Sequence, residues 1–217
     1  MQKLLVGTAL LCLASSAALA AAPTAATIIS NADVQKVLKD RPNGDHTIRV
    51  MDMGQGYNMS VAVVHRGSTN APDTRTPEQV AAAAAARAKL KDCGVSQPIG
   101  GKVGPMKGGM LAHDKTAETY IVIEGGGTVI TGGKILKGKQ SAADAEVTTT
   151  LNGPTCSGQV TGDFVSTNAK VGDIIVVPAG VPHGWSNIPN DVTYLSVRPD
   201  PEHVLPAAGF IYPALKK

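Results

Sequence analysis

The sequence predicts an all-β fold made of short strands. The 217 residues include 24 glycines and 14 prolines and only 17% charged residues, which suits many strands joined by turns better than a helical bundle. In 57–65, apolar residues occupy alternate positions, as in a strand with one face in the core. The segment 173–177, which is apolar after Asp173, lies between Gly172 and Pro178, and this predicts a strand buried on both faces.

The N-terminus predicts a secretory signal peptide over residues 1–21. Lys3 supplies a positive start, 4–14 is an apolar run too short to cross a bilayer, and Ala18-Leu19-Ala20 has the pattern of a cleavage site. A single domain over 22–217 would then be exported, to the periplasm or as a secreted protein. It would have no membrane contact, because no second apolar segment approaches spanning length.

Net charge and cysteine content indicate which partners and which cellular compartment to expect. The formal charge of +3 falls by one when Lys3 is removed, so we expect no nucleic-acid partner. Cys12 would leave with the signal peptide, and Cys93 and Cys156 then remain as one pair. A disulfide between them suits an oxidising compartment, and two buried thiols are the alternative.

Local patterns divide the domain into a core of about 45–66 and 108–198, a short helix before it and a helical insertion. A cap at Ser30 or Asn31 predicts a helix to about residue 39. The other predicted strands are, in order, 47–53, 57–65, 119–124, 128–131 (after a turn at 125–127), two short strands within 155–167, and 191–197.

The insertion, about 76–93, carries a strong helix start. Thr76 is a suitable N-cap, Pro77 suits the first helical position, and Gln79 completes a capping box. The alanine-rich run to about Leu90 continues that helix. It is either a surface helix over a flank of the barrel or a lid over its mouth.

The stretch 172–187, GDIIVVPAGVPHGWSN, carries the most specific motif. Its spacing G-x5-P-x-G-x2-H-x3-N matches the second signature motif of the cupin superfamily at each fixed position, which are Gly172, Pro178, Gly180, His183 and Asn187. The chain therefore resembles a cupin. The resemblance covers about 109–198 and implies a double-stranded β-helix, or jelly roll, that the strands at 47–65 complete.

The first cupin motif is matched in part. His113, Glu118 and Gly125 have its spacing, whereas Leu111 stands where its first histidine would be and Pro105 where its leading glycine would be. By this resemblance, His113, Glu118 and His183 would bind one divalent metal, which is iron, manganese, zinc or nickel.

The residue types support this grouping independently. Residues five apart on a straight strand face opposite sides, so His113 and Glu118 converge only if the chain bends at 114–116. A carboxylate inside a barrel also needs a partner, because an unpaired buried charge costs several kcal/mol. A cation would provide that partner.

Five other residues are candidates near this site. Tyr120 shares a face with Glu118 and is either a barrel-lining residue or an acid/base group. Asn187 would orient the histidine of its own motif. His65 is either an extra ligand or an ordinary strand histidine. Trp185 would stack on a ligand or plug the barrel, and Arg198 would be exposed or would steer an acidic substrate.

Three functions follow from this reading. The first is an exported metalloenzyme acting on a small oxygen-rich molecule, with oxygenase, isomerase or lyase chemistry. The second is a non-catalytic module that binds a small molecule such as a sugar or sugar acid. The third is a structural homodimer whose barrel is filled by Leu111, Tyr120 and Trp185. Cupin-like folds support many reactions, so the fold does not select among them.

Overall fold

The computed structural model describes residues 24–54, 56–104 and 109–216. The predicted signal peptide and Pro105 lie outside these ranges. The helices are α1 (Asn31–Asp40) and α2 (Pro77–Ala88), with a π-helical turn at Val147–Leu151 and a 3-10 turn at Pro213–Leu215. The strands are β1 (Gly44–Asp52), β2 (Asn58–Gly67), β3 (Asp92–Cys93), β4 (Met110–His113), β5 (Glu118–Gln140), β6 (Thr155–Lys170), β7 (Ile174–Val177), β8 (His183–Asn187) and β9 (Asp191–Asp200).

Two antiparallel sheets share the long strand β5. Its first part pairs with β9 and β7, and β9 continues to β2 and β1. Its remaining part pairs with β6, and β6 pairs with β4. Strand β8 pairs with both β4 and β5, so β5, β6, β4 and β8 form a closed ring. This strand pairing confirms the all-β prediction and the jelly-roll barrel that the cupin resemblance implied.

The turn predicted at 125–127 is wrong, because β5 runs through these residues from one sheet into the other. Gly125 has φ +63°, and a Cβ there would lie 2.1 Å from the carbonyl oxygen of Asp191. Only glycine permits this close crossing of strands. The two short strands predicted within 155–167 are likewise one strand, β6.

The prediction that 173–177 is buried on both faces is also wrong. Ile174 and Val176 are 64% and 69% exposed, whereas Val177 is buried and Ile175 packs against the core. Among the described strands, β7 pairs only with β5. No layer covers its outer face, so the apolar run follows the alternation of a half-exposed edge strand.

The two helices begin at the predicted caps but differ in packing. Val34 and Val37 of α1 are buried, in a cluster that includes Tyr212 from the C-terminal segment. Helix α2 has the predicted capping box and no buried residue, so it is not packed into the core. Its Arg87 donates hydrogen bonds to Ser157 of β6. Within the described ranges, no helix is long and apolar enough to cross a membrane.

A disulfide joins the end of the insertion to the barrel. Cys93 and Cys156 are bonded, with their Cα atoms 6.0 Å apart. Cys156 of β6 packs with Met110, Ile130 and Ile135, so the bridge ends in an apolar cluster of the barrel.

Candidate metal centre

Three buried side chains meet inside the barrel from different strands. His113 ends β4, Glu118 begins β5 and His183 begins β8. Glu118 Oε2 lies 3.1 Å from His183 Nε2 and 3.4 Å from His113 Nε2. The predicted bend is present between β4 and β5, and it turns His113 and Glu118 toward each other. Atoms that could bind one metal ion all lie within 4.8 Å of one another.

Hydrogen bonds fix which ring nitrogen carries the proton in both histidines. His183 Nδ1 lies 2.9 Å from the carbonyl oxygen of Val181, which only accepts, so Nδ1 donates. His113 Nδ1 lies 2.8 Å from Thr155 Oγ1, and that hydroxyl donates to the carbonyl oxygen of Gly153, so Nδ1 donates here too. In neutral imidazoles, both Nε2 atoms therefore present lone pairs to the centre.

These atoms fit a divalent cation. Two imidazole lone pairs face a carboxylate oxygen, and His183 Nε2 is buried with no hydrogen-bond partner. Acceptors that face one another without water are unfavourable unless a positive ion lies between them. Two imidazoles and one carboxylate suit iron(II), manganese, zinc or nickel and leave coordination positions open.

The other oxygen of Glu118 is satisfied by the protein itself. Glu118 Oε1 accepts from Arg198 Nε at 2.6 Å, Asn152 Nδ2 at 2.7 Å and Ser196 Oγ at 3.1 Å. Burial alone would raise the pKa of Glu118, but the guanidinium of Arg198 outweighs burial and holds that pKa well below its usual range. Glu118 is thus an ionised carboxylate with one oxygen anchored and the other turned to the centre.

Arg198 is 1% exposed, so its prediction as a surface or steering residue is wrong. Its guanidinium also binds the carboxylate of Asp45 and the carbonyl oxygen of Leu151. The inward alternation of Tyr194 and Ser196 along β9 continues to Arg198, and this was the available sequence signal. The sequence analysis expected a positive charge beside the buried carboxylate of Glu118. The guanidinium of Arg198 provides one such charge.

Asn152 was missed by sequence reasoning. It follows the π-helical turn, in a polar segment whose structure the sequence left ambiguous. Its Nδ2 lies 3.1 Å from His113 Nε2 as well as 2.7 Å from Glu118 Oε1. No motif or periodicity marks this position, because its placement depends on a turn between β5 and β6.

Tyr120 lies at the centre and acts as a donor. Its hydroxyl donates to Glu118 Oε2 at 2.6 Å, and its ring packs against Tyr194 with centroids 4.4 Å apart. Burial, followed by the negative charge of Glu118, raises the pKa of Tyr120 well above its usual value. The phenol therefore stays protonated at neutral pH.

The structure places the two remaining candidates away from the centre. His65 Nδ1 lies 2.8 Å from Thr193 Oγ1 on the neighbouring strand, and His65 does not join the cluster. Asn187 is exposed at the end of β8, and the carbonyl of Val181 orients His183 in its place. His65 thus has the position of an ordinary strand histidine, the second alternative given above. Asn187 differs from the prediction because strand pairing, which the motif spacing does not define, decides where its side chain points.

A cavity of about 1010 Å³ opens onto the centre. Leu111, Tyr120 and Trp185 line this space and do not fill it, so the barrel is not packed shut. Besides His183 Nε2, two buried polar atoms of the lining have no hydrogen-bond partner among the described residues, Asp45 Oδ1 and Trp185 Nε1. One is an acceptor and the other a donor.

Comparisons with known proteins give weak similarities. No family model matches the sequence, and no curated protein matches it. The structure is similar to that of BH2720 from Bacillus halodurans, at 12% identity and a TM-score of 0.38 over 88% of this chain and 92% of that one. Recombinant oxalate oxidase in complex with glycolate has 12% identity and a TM-score of 0.30, over 74% of this chain and 53% of that one. For the formate complex of Lactobacillus farciminis oxalate decarboxylase the identity is 18% and the TM-score 0.28, over 74% and 33%. The fold is therefore assigned from strand pairing.

Proposed function

We propose that the protein is a divalent-metal-dependent enzyme that acts on a small, oxygen-rich molecule. The observation that carries this proposal is the set of buried acceptors at the barrel centre. His113 Nε2, His183 Nε2 and Glu118 Oε2 face one another, and no protein donor satisfies His183 Nε2. A bound divalent ion would act as a Lewis acid on a substrate oxygen.

The surrounding residues prepare this chemistry. Arg198 holds Glu118 ionised, so the carboxylate remains a ligand, and Thr155 holds His113 in the tautomer that exposes Nε2. Tyr120 is protonated and lies against Glu118 Oε2, so it can donate a hydrogen bond or a proton to an oxygen of the substrate. A proton donor beside a Lewis acid favours isomerase or lyase chemistry.

The cavity supports a polar substrate. Asp45 Oδ1 would accept a hydrogen bond from a substrate hydroxyl, and Trp185 Nε1 would donate one to a substrate oxygen. Neither atom has a hydrogen-bond partner among the described residues. An oxygen-rich molecule satisfies both atoms, whereas a hydrocarbon satisfies neither.

The same two atoms favour a second function, the non-catalytic binding of a sugar or sugar acid. That function needs the cavity but no metal and no proton donor. It is distinguished by tight ligand binding to the metal-free protein without turnover. The closed structural homodimer is not proposed, because a large cavity is inconsistent with a filled barrel.

We also propose that the protein is exported. The disulfide between Cys93 and Cys156 supports an oxidising compartment. Mass spectrometry of the protein from its native host tests this proposal. A mature N-terminus near residue 22 is expected, and an uncleaved, reduced chain would contradict export.

Elemental analysis of the mature protein, purified without chelators, tests the metal. Near-stoichiometric iron, manganese, zinc or nickel is expected in the wild type and in His65→Ala, and none in His183→Ala. Loss of metal in His65→Ala as complete as in His183→Ala would show that the ligand set is wrong. Absence of metal from the wild type, even after reconstitution, would favour the non-catalytic binding protein.

A further inference from the structure

The centre lacks a ligand on the side of Leu111. This residue lies two positions before His113 on β4, pairs with His183 across β8 and lines the cavity. A hydrocarbon side chain cannot bind a cation, so β4 supplies one ligand instead of two. The lining of the same cavity contains a polar group that sequence reasoning did not assign.

That group is the amide of Asn152, which a structured turn holds in place. The backbone N–H of Asn152 donates to the carbonyl oxygen of Val147 at 2.9 Å. Gly153 follows with φ +74°, a left-handed conformation that favours glycine. Two residues later, Thr155 accepts the hydrogen bond from His113 Nδ1. One turn therefore positions both the Asn152 amide and a known support of the centre.

The amide lies at the distance expected of neighbouring ligands. Asn152 Nδ2 is 3.1 Å from His113 Nε2, the same separation as between His183 Nε2 and Glu118 Oε2. Two atoms bonded at right angles to one ion, each at about 2.1 Å, lie about 3.0 Å apart. The amide is therefore close enough to share an ion with His113.

The NH₂ group of Asn152 donates toward both His113 Nε2 and Glu118 Oε1. With a cation bound, those hydrogens would point toward positive charge. A half-turn about the Cβ–Cγ bond replaces Nδ2 by Oδ1, and an amide oxygen is an accepted ligand of divalent metals. We infer that Asn152 is a metal ligand through Oδ1, in place of the histidine that Leu111 replaces. This inference rests on the proposed metal dependence.

A merely positioning role makes a different prediction. In that role, Asn152 keeps Nδ2 on Glu118 Oε1 and never contacts the metal. Asn152→Asp then places a second carboxylate against that of Glu118, and their repulsion weakens metal binding. If Asn152 is a ligand, the same substitution supplies an anionic oxygen and retains or strengthens binding. The sign of the Asn152→Asp effect thus separates the two roles.

Cobalt(II) titration of the full mature protein tests the inference, with affinity from calorimetry and coordination from the visible spectrum. Asn152→Leu, similar in volume, should weaken binding at least tenfold and alter the spectrum. Asn152→Asp should bind within threefold of the wild type, or more tightly. Ser196→Ala is the matched control for the loss of a donor to Glu118 Oε1. It should weaken binding less than Asn152→Leu does and leave the cobalt(II) spectrum unchanged, because it removes no ligand.

A measurement on the wild type tests the inference even if the substituted proteins do not fold. With ¹³C in the side-chain carbonyl of asparagine, electron–nuclear double resonance of bound manganese(II) should show a ¹³C coupling. Absence of this coupling would overturn the inference, as would Asn152→Asp binding more weakly than Asn152→Leu or wild-type behaviour of Asn152→Leu. A wild type that binds no metal would instead overturn the proposed function itself.

Discussion

The barrel centre and helix α2 are built in opposite ways. At the centre, charged groups are buried, and each is held by residues far away in sequence: Arg198 binds Glu118 and Asp45, which come from two other strands. In α2, no residue is buried, and the stabilising features are local, namely a capping box between Thr76 and Gln79 and a run of alanines.

This difference shows where long-range order is required. Burying Arg198 and Glu118 is costly unless both are paired, so the centre exists only when several strands are in register. A helix of twelve residues is marginal by itself, and capping and alanine propensity compensate locally for the missing packing. Substitutions at the centre should therefore lower the stability of the whole barrel, whereas substitutions in α2 should have smaller effects that are confined to the helix.

The largest effect is expected for Arg198→Met. The change leaves the carboxylates of Glu118 and Asp45 without their buried cation, which should lower the free energy of unfolding by about 3–5 kcal/mol. Urea denaturation measures this loss. Arg75→Met, which breaks the exposed pair with Asp73 just before α2, should leave the free energy of unfolding nearly unchanged. Equal losses in the two variants would remove the contrast between the regions.

A smaller effect is expected from removing the covalent link between the regions. The disulfide joins residues 63 apart in sequence, and the segment between them contains β4 and all of β5. Replacing both Cys93 and Cys156 by serine should lower stability by about 2–4 kcal/mol. Thermal unfolding of the wild type with and without reductant provides the comparison. An unchanged melting temperature in both tests would show that the bridge contributes nothing.

Thr155→Val should act on metal affinity. It removes the acceptor that fixes His113 Nδ1, and loss of such a support typically weakens metal binding 10–100-fold. Thr161→Val is the control, because Thr161 is a buried threonine that bonds the carbonyl of Lys102 away from the centre. Metal titration of both variants should separate them, and equal affinities would argue against a role for Thr155 in orienting His113.

The smallest global effect is expected for Ala83→Gly in α2. It should destabilise the helix by about 1 kcal/mol and leave the unfolding of the barrel and metal binding unchanged. Hydrogen exchange would show faster exchange confined to α2. Ala62→Gly, at a fully buried site in β2, should lower global stability instead. A global loss for Ala83→Gly would mean that α2 is coupled to the barrel.

Features encoded by neighbouring residues were predictable from the sequence. The caps of both helices and the bend between His113 and Glu118 follow from side chains within a few positions. The motif around His183 indicated the strand and turn that carry it, and the partial motif supplied its two partners. These predictions needed only local backbone preferences and the spacing of the two motifs, which the cupin resemblance interprets as metal-binding.

Tertiary structure alone decided the partners of those residues. Alternation along a strand shows that two faces differ but not what covers each face, so the exposure of Ile174 and the burial of Arg198 could not be assigned. The Asn152 amide meets His113 because a turn far along the chain folds against the barrel. The sequence by itself determined the β architecture and three residues of the centre. The other groups of the centre depended on tertiary structure, because buried charges are stabilised by whichever groups the fold brings within hydrogen-bonding distance.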